Sequence, residues 1–267
     1  MGAGETIFDE VSAIAAKLEF DLPAEEVAAL AERNAYGADE MAAVAGVMSL
    51  MAQRKHDSDI ATMLRLSRLP QREPKTFDNF DFSRMQGRDA ASLRKLPDLA
   101  NLYARKNLAF IGPSGIGKTH LAQAYGRECC LRVMKSYYIK ATELRDKLRK
   151  ACRSEGNTRA VSDLVKPSCL IVDEIGRCVF DKDCTQLFFD IVDRRYEKDT
   201  PNVMILTSNM PANTWHEYFT GDDTMLCALD RIFDKATVFM MAGPSYRGAG
   251  LETLSVEAVP QAVKLKK

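Results

Sequence analysis

The chain has 267 residues, 46% apolar and 28% charged, enough to bury a core in one large domain or in a main domain with a small companion. No apolar run reaches the ~18 residues of a membrane span, and the opening MGAGETIFDE lacks the basic start and apolar stretch of a signal peptide. A cytoplasmic protein with no membrane contact is therefore expected. The seven cysteines are odd in number, two are adjacent and none forms a C-x-x-C pair, while the three histidines are scattered. That argues against a disulfide framework and a structural zinc site, and favours reduced thiols that pack as small hydrophobes.

The net charge of zero is unevenly spread. Residues 1–40 carry ten acids against Lys17 and Arg33, a net −8 that the remainder offsets. Residues 51–75 hold six bases and three acids, and residues 131–159 nine and three. Such runs are either solvated helix faces or surfaces that meet phosphates.

In chain order, residues 1–70 read as a helical domain. Ala, Leu and Met recur at three-to-four spacing, and no proline stands between Pro23 and Pro70. A helix is expected to begin near Pro23, capped by Asp21 or its successors. Pro70 and Pro74 end the pattern, and 71–106 reads as a linker and lead-in segment. From 107 to 243 short apolar runs alternate with helical stretches. Strands are expected at 107–112, 136–139, 169–173, 202–208 and 237–241, and helices near 117–130, 142–152, 183–197 and 224–234. This alternation implies a parallel sheet covered by helices. An irregular tail, 244–267, ends in Lys264, Lys266 and Lys267.

Gly112-Pro-Ser-Gly-Ile-Gly-Lys-Thr119 fits G-x-x-x-x-G-K-[ST] without a mismatch, between an expected strand and an expected helix. Its glycines let backbone N–H groups turn onto phosphate oxygens, and the helix sets its positive end on the same anion. Lys118 is placed to bridge the β- and γ-phosphates and Thr119 to ligate Mg²⁺. Fifty-five residues after Lys118, the strand Cys169-Leu-Ile-Val ends in Asp173 and Glu174. Asp173 suits the Mg²⁺ shell, and Glu174 suits a base that polarises water for attack on the γ-phosphate. Asn209, after the strand 202–208, is either an ordinary turn residue or a contact to the γ-phosphate. For Asn209 to reach that phosphate its strand must lie between the other two, which gives the sheet order fifth, first, fourth, third, second. Arg231, on the helix before the last strand, is either a structural ion-pair former or an arginine supplied to a neighbouring subunit's ATP.

The ordered set TFDNFDF, GPSGIGKTHLA, CLIVDEIG, QLFFDIVDRRYE, ILTSNMPANTWHEYF, ALDRIFDKA and SYRG resembles the IstB-type ATPases over about residues 50–250. These are transposition helpers of bacterial insertion sequences, related to DnaC-type helicase loaders within the AAA+ initiator group. The resemblance implies an α/β P-loop AAA+ core without a C-terminal lid. The stretch of about 25 residues after the last strand is too short for one. It implies ATP held by Gly112, Pro113, Ser114, Gly115, Ile116, Gly117, Lys118, Thr119 and His120, and Mg²⁺ held by Thr119 and Asp173. Glu174 becomes the base, Asn209 the sensor and Arg231 the finger acting in trans. Arg247 of SYRG is a candidate second sensor. Phe77, Phe80 and Phe82 either flank the nucleotide base or form a hydrophobic latch.

The function so implied is an ATPase that assembles as a homo-oligomer on double-stranded DNA and assists a separate transposase. Two basic sets are expected at the DNA. One is Arg54, Lys55, Arg65, Arg68 and Arg72; the other is Lys140, Arg145, Lys147, Arg149, Lys150 and Arg153, where the initiator group often inserts a DNA-facing helix. The acidic first forty residues suit DNA poorly. The alternative is a helicase loader, which often carries a different N-terminal partner module, sometimes with a zinc cysteine cluster, which this chain lacks. A small-molecule kinase would need an Arg-rich lid. A non-catalytic, nucleotide-gated scaffold would not need Glu174 and Arg231.

Overall fold

The computed structural model describes residues 6–153, 157–220, 224–243 and 245. The expected tail at 244–267, with Arg247, Lys264, Lys266 and Lys267, lies outside the described residues apart from Ser245.

Three helices open the chain: α1 (Ile7–Lys17), α2 (Ala24–Asn34) and α3 (Ala38–Leu66). Thr6 and Asp9 cap α1 reciprocally. Pro23 precedes α2, but no side chain caps it, so Asp21 does not play the part expected of it. Val11, Ile14, Val27, Ala31, Met41, Ala45 and Ala52 form a small core of their own. The last turn of α3 leaves that bundle. Met63 and Leu64 pack on the main core, and the carbonyl of the buried Ser67 accepts from the Tyr138 amide at 2.8 Å.

The lead-in segment is folded throughout. Short 3₁₀ turns at Phe82–Arg84 and Leu96–Asp98 alternate with α4 (Ala90–Arg94) and α5 (Ala100–Tyr103). Leu93, Leu96, Leu99 and Leu102 are all buried beneath them.

The sheet comprises β1 (Leu108–Ile111), β2 (Ser136–Lys140), β3 (Cys169–Ile175), β4 (Val203–Ser208) and β5 (Thr237–Met240). All pairs are parallel, in the order β2-β3-β4-β1-β5. This is the order expected from the reach of Asn209: β4 separates β1 from β3. Helices α6 (Lys118–Leu131), α7 (Ala141–Cys152), α9 (Lys182–Glu197) and α10 (Thr224–Phe233) fall where the sequence placed them. A further helix, α8 (Asn157–Val165), does not figure among the expected elements.

Alternate strand residues face opposite ways, and the two faces build two cores. Ala109, Ile111, Leu170, Val172, Met204 and Leu206 pack with α7, α8, α9 and α10. Leu108, Phe110, Ile171, Val203 and Ile205 pack with α6 and the lead-in segment. A sheet covered on both faces needs strands that are apolar throughout, which is why β1 and β4 read as unbroken apolar runs. Among the described residues no helix is long and apolar enough to cross a membrane, and all seven cysteines are unpaired.

Candidate functional site

A cleft of about 480 Å³ opens at the carboxyl ends of β1, β3 and β4. Ser114, Gly115, Gly117, Lys118 and Thr119 line it from the loop after β1, Glu174 from β3, and Thr207, Ser208 and Asn209 from β4. The lead-in segment closes the other wall with Pro70, Lys75, Asn79, Phe80 and Asp81.

The loop is possible because of glycine at two points. At Gly112 (φ 155°) a Cβ would stand 2.0 Å from the Met241 carbonyl, and at Gly117 (φ 94°) 2.6 Å from the Phe80 ring. Gly117 precedes α6 without a side-chain cap, so the first-turn amides of α6 are left for an anion. Pro113 contributes its carbonyl. Ile116 is buried in the core beside α6 and faces away from the cleft.

Lys118 is buried, and its Nζ donates to Gly112 O at 2.7 Å, Pro113 O at 2.6 Å and Asn209 Oδ1 at 2.7 Å. The lysine thus ties the tip of β1 to the tip of β4. Thr119 Oγ1 donates to Asp173 Oδ1 at 2.8 Å, and Thr207 Oγ1 donates to the same oxygen. Tyr138 donates to Asp173 Oδ2 at 2.7 Å.

Asp173 and Glu174 are consecutive, and a regular strand would send them to opposite faces. The β3–β4 register shifts between Val172 and Ile175, and Glu174 adopts φ 64°. This bulge turns Glu174 to the cleft while Asp173 stays buried beneath it. The Glu174 amide donates to Thr207 Oγ1 at 2.9 Å, and its carboxylate pairs with Arg177 at 2.7 Å.

His120 Nε2 lies 2.8 Å from the Thr76 carbonyl, so that nitrogen carries the proton. Burial lowers the pKa of the ring against the opposing hydrogen bond, which favours the neutral form. Phe80 packs edge-on to both His120 and Phe82. Phe80 is therefore part of a latch and part of the cleft wall, while Phe77 and Phe82 pack against the core.

The cation implied at Thr119 and Asp173 fits the donor set. Magnesium takes hard oxygen ligands, commonly one or two from the protein and the rest from phosphates and water. A hydroxyl and a carboxylate 2.8 Å apart supply that share. Among the described residues no group of three or more His, Cys, Asp or Glu forms a metal cage.

Arg231 lies elsewhere. It borders a second cavity with Asn107, Asn202 and Met204, at the beginnings of β1 and β4. Its Nε pairs with Asp193 at 3.0 Å, and its guanidinium lies 5.2 Å from the Phe189 ring centre. It sits at the opposite end of the strands from Lys118 and does not meet the cleft of its own chain.

The two basic sets meet at Arg68. Arg68 pairs with Glu143 at 2.9 Å and donates to the Tyr137 hydroxyl, joining the end of α3 to β2 and α7. Other members hold carboxylates: Lys55 with Glu19 and Asp59, Arg145 with Asp146, Lys147 with Asp163, and Arg149 with Asp181. Arg54, Arg65, Arg72, Lys140, Lys150 and Arg153 are exposed. Sequence reasoning gave no role to Tyr138, Gln123, Arg177 and Lys75, which lie outside the quoted motifs, nor to Asn79 and Asp81, which lie in TFDNFDF between the aromatics singled out there.

A sequence profile described as IstB-like ATP binding protein matches residues 14–251. The ATP-binding protein of insertion sequence IS5376 from Geobacillus stearothermophilus is 38% identical over 72% of this chain and 75% of its own. That of IS21 from Pseudomonas aeruginosa is 34% identical over 72% and 71%. Among solved structures, a chain described as a primosome component of Streptococcus pyogenes superposes with a TM-score of 0.54, at 17% identity, over 71% of this chain and 98% of that one. The DnaC helicase loader gives 0.50, at 17% identity, over 61% and 97%. These two share the fold. The profile and the insertion-sequence relatives carry the closer assignment: the chain belongs to the IstB-like ATP-binding protein family.

Proposed function

We propose that this protein is an Mg²⁺-dependent ATPase that assembles on double-stranded DNA and assists a separate transposase. The observation that carries the reading is the meeting of Lys118, Thr119, Asp173, Glu174 and Asn209 at the carboxyl ends of three parallel strands.

The partners of Lys118 support phosphate binding. Gly112 O, Pro113 O and Asn209 Oδ1 are uncharged acceptors, and a charged phosphate oxygen attracts an ammonium more strongly than they do. Exchange frees the Asn209 amide to meet the γ-phosphate and the attacking water. Thr119 and Asp173 would hold Mg²⁺, which offsets charge on the β- and γ-phosphate oxygens. Glu174 would take the proton of a water whose oxygen attacks the γ-phosphorus as the bond to the β-phosphate oxygen breaks, giving ADP and phosphate. For that, its pair with Arg177 must open. Arg231, remote from its own cleft, would serve a neighbour's.

The insertion-sequence relatives support the transposition setting. The exposed bases at the junction of α3, β2 and α7 support DNA contact through phosphates. The test is ATP turnover by the purified protein alone, with double-stranded DNA, and with DNA plus the transposase of the same element. DNA should raise the rate. A rate indifferent to DNA and transposase but raised by a replicative helicase would transfer the reading to a loader; phosphate delivered to a small acceptor would make it a kinase.

A further inference from the structure

We infer that Tyr138 is a positioning residue for the metal-side carboxylate, setting the affinity of the site for Mg²⁺ with nucleotide. The inference rests on the reading of Asp173 as the carboxylate on the Mg²⁺ side.

Three hydroxyls meet that carboxylate, and they divide between its oxygens. Thr119 and Thr207 donate to Oδ1, while Tyr138 donates to Oδ2 at 2.7 Å. Tyr138 comes from β2, on the side of β3 away from β4. Its register partner is Ile171, two residues before Asp173, so both side chains emerge on one face of the sheet. With Oδ1 held from β4 and Oδ2 from β2, the carboxyl group cannot swing about its last bond, and Oδ1 stays turned to Thr119.

The tyrosine is itself fixed. It is buried, with Gln123 of α6 beside the same hydroxyl. Its strand is anchored too, through the Tyr138 amide on Ser67. Groups that orient a ligating side chain in this way commonly govern metal affinity by about 10- to 100-fold.

The test uses the full chain and a fluorescent, non-hydrolysable ATP analogue titrated at several Mg²⁺ concentrations and in EDTA. Tyr138→Phe keeps the ring and removes the donor. It should raise the Mg²⁺ concentration for half-maximal binding about tenfold, leave affinity in EDTA unchanged, and melt without ligand within a few degrees of the parent. Gln123→Ala, which frees the hydroxyl from one of its two neighbours, should move the Mg²⁺ midpoint in the same direction by less. If Asp173→Asn abolishes the Mg²⁺ dependence while Tyr138→Phe keeps the parent midpoint, the positioning role is overturned and the site reading stands. If Asp173→Asn leaves the parent's Mg²⁺ response intact, both fall. Equal losses with and without Mg²⁺ would make Tyr138 a packing residue only and overturn the inference.

Discussion

The ammonium of Lys118 donates to two backbone carbonyls and to the Asn209 amide oxygen, each a weaker partner than a charged phosphate oxygen. Lys118→Ala should weaken ATP binding by roughly 30- to 100-fold, the share of one strong charge-assisted contact. Glu174→Gln should bind ATP as the parent does and turn over at least about 100-fold more slowly, since it loses only the proton acceptor. Binding by fluorescence and turnover by phosphate release separate the two; parent-rate turnover in Glu174→Gln would remove the residue from the chemistry. Lys118, Thr119, Asp173 and Glu174 were legible because each occupies a fixed offset within a contiguous stretch. Tyr138 was not. It reaches Asp173 across a strand pairing, and Ser-Tyr-Tyr-Ile reads as any strand. Nor does a DE pair disclose the bulge that turns Glu174 to the cleft above the buried Asp173.

Among elements, α9 is fastened by a single buried guanidinium. Arg195 donates to the carbonyls of Leu164, Val165, Pro167, Ser168 and Val203, closing the turn from α8 into β3 and the start of β4. A planar fork reaches that many acceptors, whereas a single ammonium does not. Arg195→Met takes this donor from the carbonyls of Leu164, Ser168 and Val203, while Val165 and Pro167 keep Lys198, and should cost about 3 kcal/mol, lowering the melting temperature by roughly 10 °C. Arg195→Lys should recover only part. Thermal unfolding reads both, and an unchanged midpoint in Arg195→Met would contradict the account. The five strands and their order could be read in advance, because apolar runs mark buried strands and the phosphate chemistry fixes their neighbours. Helix α8 escaped notice: it has only nine residues, and just Ala160, Val161 and Leu164 form its buried stripe. The lead-in segment, read as a linker, shares one face of the sheet with α6, its leucines falling at three-residue steps from Leu93 to Leu102.

At the level of the whole molecule, the separation of Arg231 from the cleft of its own chain motivates assembly. Neither Arg231→Ala nor Lys118→Ala alone should hydrolyse ATP well. Mixed in equal amounts with ATP and DNA, they should regain activity, because an intact Arg231 from one subunit can meet an intact Lys118 site on the other. Sedimentation with and without nucleotide reports the assembly itself. No recovery on mixing would leave Arg231 as the partner of Asp193 and Phe189 alone.

The wall of the cleft and the root of α3 are continuous: Pro70 borders the nucleotide loop, and Ser67, three residues earlier, is bonded to β2. From that root α3 runs 29 residues, about 43 Å at 1.5 Å per residue. It is a lever with its fulcrum beside the ATP site and its load, the acidic bundle, at the far end. A tilt of about 10° at the fulcrum carries that end about 7 Å. Were a bound phosphate to tilt α3 at its root, a small rearrangement there would be enlarged to the dimension of a side chain at the bundle.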